Sequence, residues 1–134
     1  RPLIVWHYTD LTDPRLVFGK KYIFLKNDPA IKQSIKFGVG NKQGWGGYLR
    51  GETLFMTTFP YFNNATYPDY GSNFETYAAG GFHEVEVLSP LTKLEPGEST
   101  SLVQQMYLFD VVKAGNTEES LDAAIQPILR KIKD

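Results

Sequence analysis

Short apolar runs, each closed by a cluster of turn-forming residues, recur along the chain as far as Gly115. The first is "PLIVWHY" (Pro2 to Tyr8), β-branched and aromatic, followed by "TDLTDPR", which has the Asp, Thr and Pro content of a loop. "LVFGKKYIFLK" (Leu16 to Lys26) predicts one or two strands and "SIKFGVG" (Ser34 to Gly40) another, closed by the glycine-rich "GNKQGWGG". That glycine-rich stretch lacks the spacing of a phosphate-binding loop and no helix follows it, so it reads as a flexible turn holding Trp45 near a rim. Gly51 and Glu52 between two apolar stretches suit a hairpin, and "SLVQQMYLFDVV" (Ser101 to Val112) is the longest unbroken strand pattern.

The pattern changes at the end of the chain. "NTEESLDAAIQPILRKIKD" opens on Asn116 or Thr117 as a cap, places Glu118 and Glu119 in the first turn and finishes in basic residues, as the helix dipole favours. Leu121, Ala124, Ile125, Ile128, Leu129 and Ile132 form one apolar stripe, so this helix is expected to pack on a sheet. Pro127, read as lying within the stripe, is expected to kink or divide it, because it removes a backbone bond and crowds the preceding turn. Many short strands with one terminal helix predict a mainly β protein, an antiparallel β-sandwich or open barrel. The expected organisation is a single domain over 1–134, with the β part at 1–115 and the helix at 116–134.

The hairpin pattern over Asn73 to Ala78 and Phe82 to Leu88 raises a chemical question. Any even-length loop over "AAGG" puts Asn73, Glu75, Tyr77, Glu84 and Glu86 on one face and Phe74, Val85 and Val87 on the other, where they are expected to be core. With a two-residue turn at Gly80 and Gly81, Tyr77 faces Glu84 and Glu75 faces Glu86; with a four-residue loop, Glu75 faces Glu84. Like charges opposite each other are unfavourable, so three glutamates on a face require a cation, a shared proton, a bound ligand or much water. A solvated face on which water screens the repulsion is the plain structural alternative to a site. Calcium is a weaker fit, since its six to eight oxygen ligands call for a ligand-rich loop. Lys36, at a strand end, can balance the glutamates or contact a ligand.

Composition removes several function classes. Over 134 residues the net charge is −1 with no basic stripe, so neither nucleic acid nor an anionic membrane surface is an expected partner. No apolar run approaches the roughly 20 residues of a membrane helix, and the chain reads as a soluble fragment or processed chain. With no cysteine there is no disulfide or thiolate chemistry, and cytoplasm and periplasm or secretion stay equally open. The aromatic share is 14%, and the loop from Pro60 to Gly71 gathers Tyr61, Phe62, Tyr67 and Tyr70 around amides and Asp69, a mixture suited to sugars but rather more to a loop pinned to the core by its own rings. The Asn64-Ala65-Thr66 sequon is too common a triplet to carry weight.

The segment "PDYGSNFETY", then "EVEVLSPLTKLEPGES" and the strand "VQQMYLFD", resembles the galactose-mutarotase-like (aldose 1-epimerase-like) superfamily of β-sandwich proteins, in its C-terminal half and closest to an uncharacterised bacterial branch. "WHYTDLTDPR" and Lys36 with Gly38 in "IKFG" extend the resemblance over most of residues 3 to 112. It implies a shortened member of that supersandwich whose concave sheet holds a sugar or glycan. It also implies a carboxylate base at the anomeric hydroxyl, first Glu86 and then Glu84. Beside that base, the hairpin face and the aromatic loop offer Glu75, Tyr77, Asn73, Lys36 and Asp69 as substrate-binding residues, and no cofactor or metal is expected. Mutarotation also needs an acid for the ring oxygen. Members usually supply it as a histidine; here there are only His7, which does not match, and His83, which parity points away from the glutamates. The rival expectation is a non-catalytic binding or structural domain, completed by another chain or as a homo-oligomer.

Overall fold

The structure is a computed structural model that describes residues 2–133; Arg1 and Asp134, the outermost residues of the expected limits, lie outside the described residues. Among the described residues nine strands precede one helix: β1 (Leu3–Val5), β2 (Leu16–Phe18), β3 (Ile23–Leu25), β4 (Ile35–Val39), β5 (Trp45–Arg50), β6 (Thr53–Thr58), β7 (Phe74–Ala79), β8 (Phe82–Val87), β9 (Gln105–Phe109) and α1 (Glu118–Lys133). The protein is mainly β, and all of its strand pairs are antiparallel. A four-stranded sheet runs β1-β4-β7-β8, a three-stranded sheet β5-β6-β9, and β2-β3 form a separate hairpin.

Turn chemistry sets the two tight hairpins. Gly51 (φ 61°) and Gly80 (φ 57°) take the left-handed backbone that lets a two-residue loop reverse the chain, fixing Arg50 opposite Thr53 and Ala79 opposite Phe82. Of the two registers weighed for the second hairpin, the two-residue one is observed. Three expectations change. The strand within Ser101 to Val112 is only Gln105–Phe109, because β6 offers partners no further than Leu54 to Thr58. Trp45, Gly46 and Gly47 open β5 instead of forming a loose turn, since Trp45 packs against the core beneath α1. Phe74, Val85 and Val87 are only partly buried; Val85 and Val87 lie on β8, the outer strand of its sheet, and Phe74 is the first residue of β7.

Two apolar clusters hold the elements together. Ile125 and Leu129 of α1 bury against Leu54, Met56 and Val112, with Trp45, Leu49, Tyr107 and Phe109 at the edges, so the helix covers one face of the three-stranded sheet. Leu16 and Leu25 of the β2-β3 hairpin pack with Ile35, Phe37 and Ala78 on the apolar face of the four-stranded sheet. The two sheets meet where Phe74 lies against Gly46 and stacks on Phe59 at 5.6 Å, and where His83 tilts onto Tyr48 at 5.0 Å. A side chain at Gly46 would occupy the space of the Phe74 ring.

The start of α1 is anchored twice. Thr117 caps it, its hydroxyl accepting the Ser120 N–H at 3.1 Å. The Glu118 carboxylate accepts the N–H groups of Lys20 (3.1 Å), Lys21 (2.7 Å) and Tyr22 (2.9 Å) at the β2-β3 turn, which ties helix to hairpin and lowers the Glu118 pKa. The expected break at Pro127 is absent: α1 is continuous to Lys133. Pro127 lies beside the apolar stripe rather than within it, exposed to solvent, where water can satisfy the Ala123 carbonyl that it leaves without a helix partner. Burial of Ile125 and Leu129 on either side keeps the two halves in line. Replacing Pro127 by Ala restores that bond and is expected to stabilise the fold by about 1 kcal/mol or more, a rise of about 3 °C in thermal midpoint; an unchanged or lower midpoint by circular dichroism would contradict this account.

Candidate functional site

The polar face of the four-stranded sheet is built by register. One cross-strand row carries Lys36, Tyr77 and Glu84, and the next carries Ile4, Gly38, Glu75 and Glu86. Lys36 lies between two of the acids: its Nζ is 2.9 Å from Glu75 Oε2, and 3.0 and 3.2 Å from the two Glu86 oxygens. The cation that three glutamates on one face required is therefore a side chain of the protein.

Burial differentiates the carboxyls. Glu75 is 1% exposed, whereas the Glu86 side chain is 31% exposed and Asp69 is at the surface. Glu75 fits beneath the surface because its neighbour on β4 is Gly38; a Cβ there would collide with the Ser72 hydroxyl and press on Glu75 Cγ at 3.1 Å. Burial, opposed by Lys36 and assisted by the adjacent Asp69 carboxyl, pushes the Glu75 pKa up to about 6. Its Oε1 is buried and meets no hydrogen-bond partner. Burial and the neighbouring Glu86 carboxylate likewise raise the Glu84 pKa. For Lys36, burial disfavours the charge, but hydrogen bonds to Glu75 and Glu86 outweigh it and raise the pKa.

The loop that brings Asp69 over the sheet is itself unusual. Asp69 (φ 50°) and Tyr70 (φ 59°) are both left-handed without being glycine, followed by Gly71 (φ 107°). Such backbone persists where its surroundings hold it: the Gly71 and Ser72 N–H groups bond back to Pro68 at 3.0 and 2.9 Å, and the Ser72 hydroxyl to Asp69 O at 3.2 Å.

Six of the seven residues singled out in the sequence gather here. Glu86, Glu84, Glu75, Lys36, Tyr77 and Asp69 surround one patch, with the Tyr77 hydroxyl 2.8 Å from Ser34 Oγ. Asn73 does not join them. It is fully buried just before β7, its Oδ1 accepting the Asn41 N–H at 2.6 Å and its Nδ2 donating to Asn41 O at 2.9 Å, so it pins the loop that leads into β5. His83 is on the opposite face. Because the Thr76 hydroxyl donates to Glu84 O at 2.8 Å, it can only accept at 2.8 Å from His83, which makes Nε2 the protonated nitrogen. Burial and Arg15 lower the His83 pKa.

Two aromatics on this face were not singled out as site residues. The Trp6 ring receives Lys36 Nζ at 4.9 Å from its centroid, and Tyr8, 42% exposed, lies close enough to Lys36, Tyr77, Glu86 and Glu75 to feel their charges. The signal was present in the alternation of Ile4, Trp6 and Tyr8, which continues the polar-face parity past the end of β1. A cleft of about 430 Å3 lies between Pro68, Val87, Leu88 and Leu91, and none of the four carboxyls lines it. Among the described residues no three acidic or histidine side chains are arranged to hold a metal ion. Comparison with known proteins finds no matching family model, no matching curated sequence and no matching solved structure.

The Glu75 shift fixes the sign of a pH effect. An unfolded chain releases this proton near pH 4.5 while the folded protein keeps it to about pH 6, so its contribution to stability falls as pH rises through that window and is level above it. Glu75→Gln is expected to remove that decline: the stability difference between wild type and variant, from urea melts, changes between pH 4.5 and 6 and is flat from pH 7 to 8. A difference without slope in the window would contradict the raised Glu75 pKa. Lys36→Met leaves Glu75 and Glu86 without their cation and should cost about 3 kcal/mol at pH 7, less near pH 4.5 where Glu75 holds its proton; equal losses at both pH values would show that the pair does not set the cost.

Proposed function

We propose that the polar face of the four-stranded sheet binds a sugar, and that Glu86 and Glu84 exchange protons with it in the manner of an aldose 1-epimerase. The carrying observation is the grouping of Glu84, Glu86, Glu75 and Lys36 on one face rimmed by Trp6 and Tyr8. Aromatic rings offer stacking surfaces to the apolar face of a sugar ring, and charged side chains beside them bond its hydroxyls. The fold is read in the same terms: the contact of the two sheets through Phe74, Gly46 and His83 supports a shortened antiparallel β-sandwich of the galactose-mutarotase-like kind.

The proton inventory matches the reaction. Glu86, ion-paired with Lys36, is the carboxylate that takes the proton of the anomeric hydroxyl. Glu84, whose pKa is raised, is the carboxylic acid that protonates the ring oxygen as the C1–O5 bond breaks and the C1 carbonyl forms. Rotation about C1–C2 presents the other face of the aldehyde, and closure returns both protons. Glu84 thereby fills the role that neither histidine is placed to fill. Lys36 and the buried Glu75 hold Glu86 in position.

One observation favours a second reading, binding without turnover. Both Glu86 oxygens already bond to Lys36, so taking a proton from a sugar means displacing an existing contact. Saturation-transfer NMR of anomer exchange across an aldose panel, with tryptophan fluorescence as a binding signal, separates the two. Faster exchange, reduced at least about 100-fold in Glu86→Gln and Glu84→Gln, is expected for the isomerase. Sugar-dependent fluorescence without faster exchange supports the binding domain, and no response to any sugar overturns both.

A further inference from the structure

One edge of the three-stranded sheet lacks the features that keep the other edges from pairing. Among the described residues the outer strands are β1 and β8 in one sheet, β5 and β9 in the other, and β2 and β3 in the hairpin. β1, β2 and β3 are three residues each, β8 carries Glu84 and Glu86, and β5 ends in Arg50. Short length and charge are the usual protections of a free edge. β9 has neither: from Ser101 to Phe109 the chain reads "SLVQQMYLF", with no charged residue and no proline, and β9 pairs with β6 on one side only. By register Met106 and Leu108 share a face with Thr57 and Phe55 and, beyond them, with Gly46 and Tyr48. On β5 that face is covered, since Gly46 meets Phe74 and Tyr48 meets His83; at β9 the cover has ended and both side chains are exposed.

We propose that β9 is a dimer interface, pairing antiparallel with β9 of a second copy across a two-fold axis at Tyr107, so that two three-stranded sheets join into one of six strands. The placing of the exposed side chains selects a second copy over an unrelated strand. Val103, Met106, Leu108 and Val111 are between 61% and 72% exposed, and their positions are symmetric about Tyr107. Antiparallel pairing centred there sets Met106 opposite the partner's Leu108 on one face and brings Val103 level with the partner's Val111, so each gains an apolar neighbour from the same set. Asp110, the nearest charge, falls opposite the partner's Gln104, and no like charges are opposed. Val111 is also in left-handed backbone (φ 60°), rare for a β-branched residue, while its side chain stays exposed in its own chain; in the dimer it lies at the interface. A two-fold pair uses up the unprotected edge of each copy, which closes the assembly at two.

Sedimentation velocity over a range of protein concentrations, with circular dichroism as the check on folding, tests this. The wild type is expected to form a dimer that dissociates in the micromolar range, as suits an interface built on one strand pair. Leu108→Lys and Met106→Glu, both at exposed positions, are each expected to weaken the dimer at least about tenfold while leaving a folded monomer. Mixed in equal amounts, the two single variants bring opposite charges face to face across the axis and are expected to pair with each other more tightly than either pairs with itself. A wild type that is monomeric at every concentration would overturn the second copy as the occupant of this edge and leave it to a strand of another protein. A dimer that neither variant weakens would place the interface elsewhere and overturn the proposal, and failure of the mixture to pair would overturn the register centred on Tyr107.

Discussion

The Lys36 ammonium, held between Glu75 and Glu86, is the interaction on which the central sheet depends. Glu75 and Glu86 are directly opposite one another on adjacent strands, an arrangement that repels unless a cation stands between them. Lys36 comes from the next strand over, so one side chain couples β4, β7 and β8. Because Glu75 is buried, screening by water is weak, and the ion pair there counts for more than an exposed one would.

The rest of the molecule supports that face from behind. The β2-β3 hairpin and the β5 edge of the three-stranded sheet cover the apolar side of the four-stranded sheet, while α1 covers the far side of the three-stranded sheet. Glu118 joins helix and hairpin through three backbone donors, so elements about a hundred positions apart are fastened at one carboxylate. The buried pair of Arg15 and Asp13, at 2.7 Å, fixes the entry to β2, with Arg15 also donating to Gln33 O just ahead of β4. A side chain fixed to a rigid strand is held more precisely than one on a loop, which the proposed proton exchange would require.

Much of the site was legible from periodicity alone. Alternation over Asn73 to Ala78 and Phe82 to Leu88 gave the shared face of Glu75, Tyr77, Glu84 and Glu86, and also the opposite direction of His83, because a strand allows its side chains only two directions. The apolar stripe of α1, its acidic first turn and the Thr117 cap were equally local properties. Asn73 has the right parity, but parity says nothing about a competing partner, and the backbone of Asn41 claimed its amide. Pro127 is conspicuous in sequence, yet its effect depends on which side of the helix meets water.

What the sequence determined by itself is whatever a short segment decides: strand alternation, the even parity of the hairpin face, and the helix with its apolar stripe and acidic start. What only the tertiary structure decided is the pairing of distant segments. It brought Lys36 to Glu75 and Glu86, placed Asp69 over Glu75, and set Trp6 and Tyr8 beside them. It also allowed Glu75 to be buried at all, because Gly38 on a different strand gives up the space. The physical reason is that a side chain's charge state depends on burial and neighbouring charge. Both are set by strand order and register, which no local run of residues encodes.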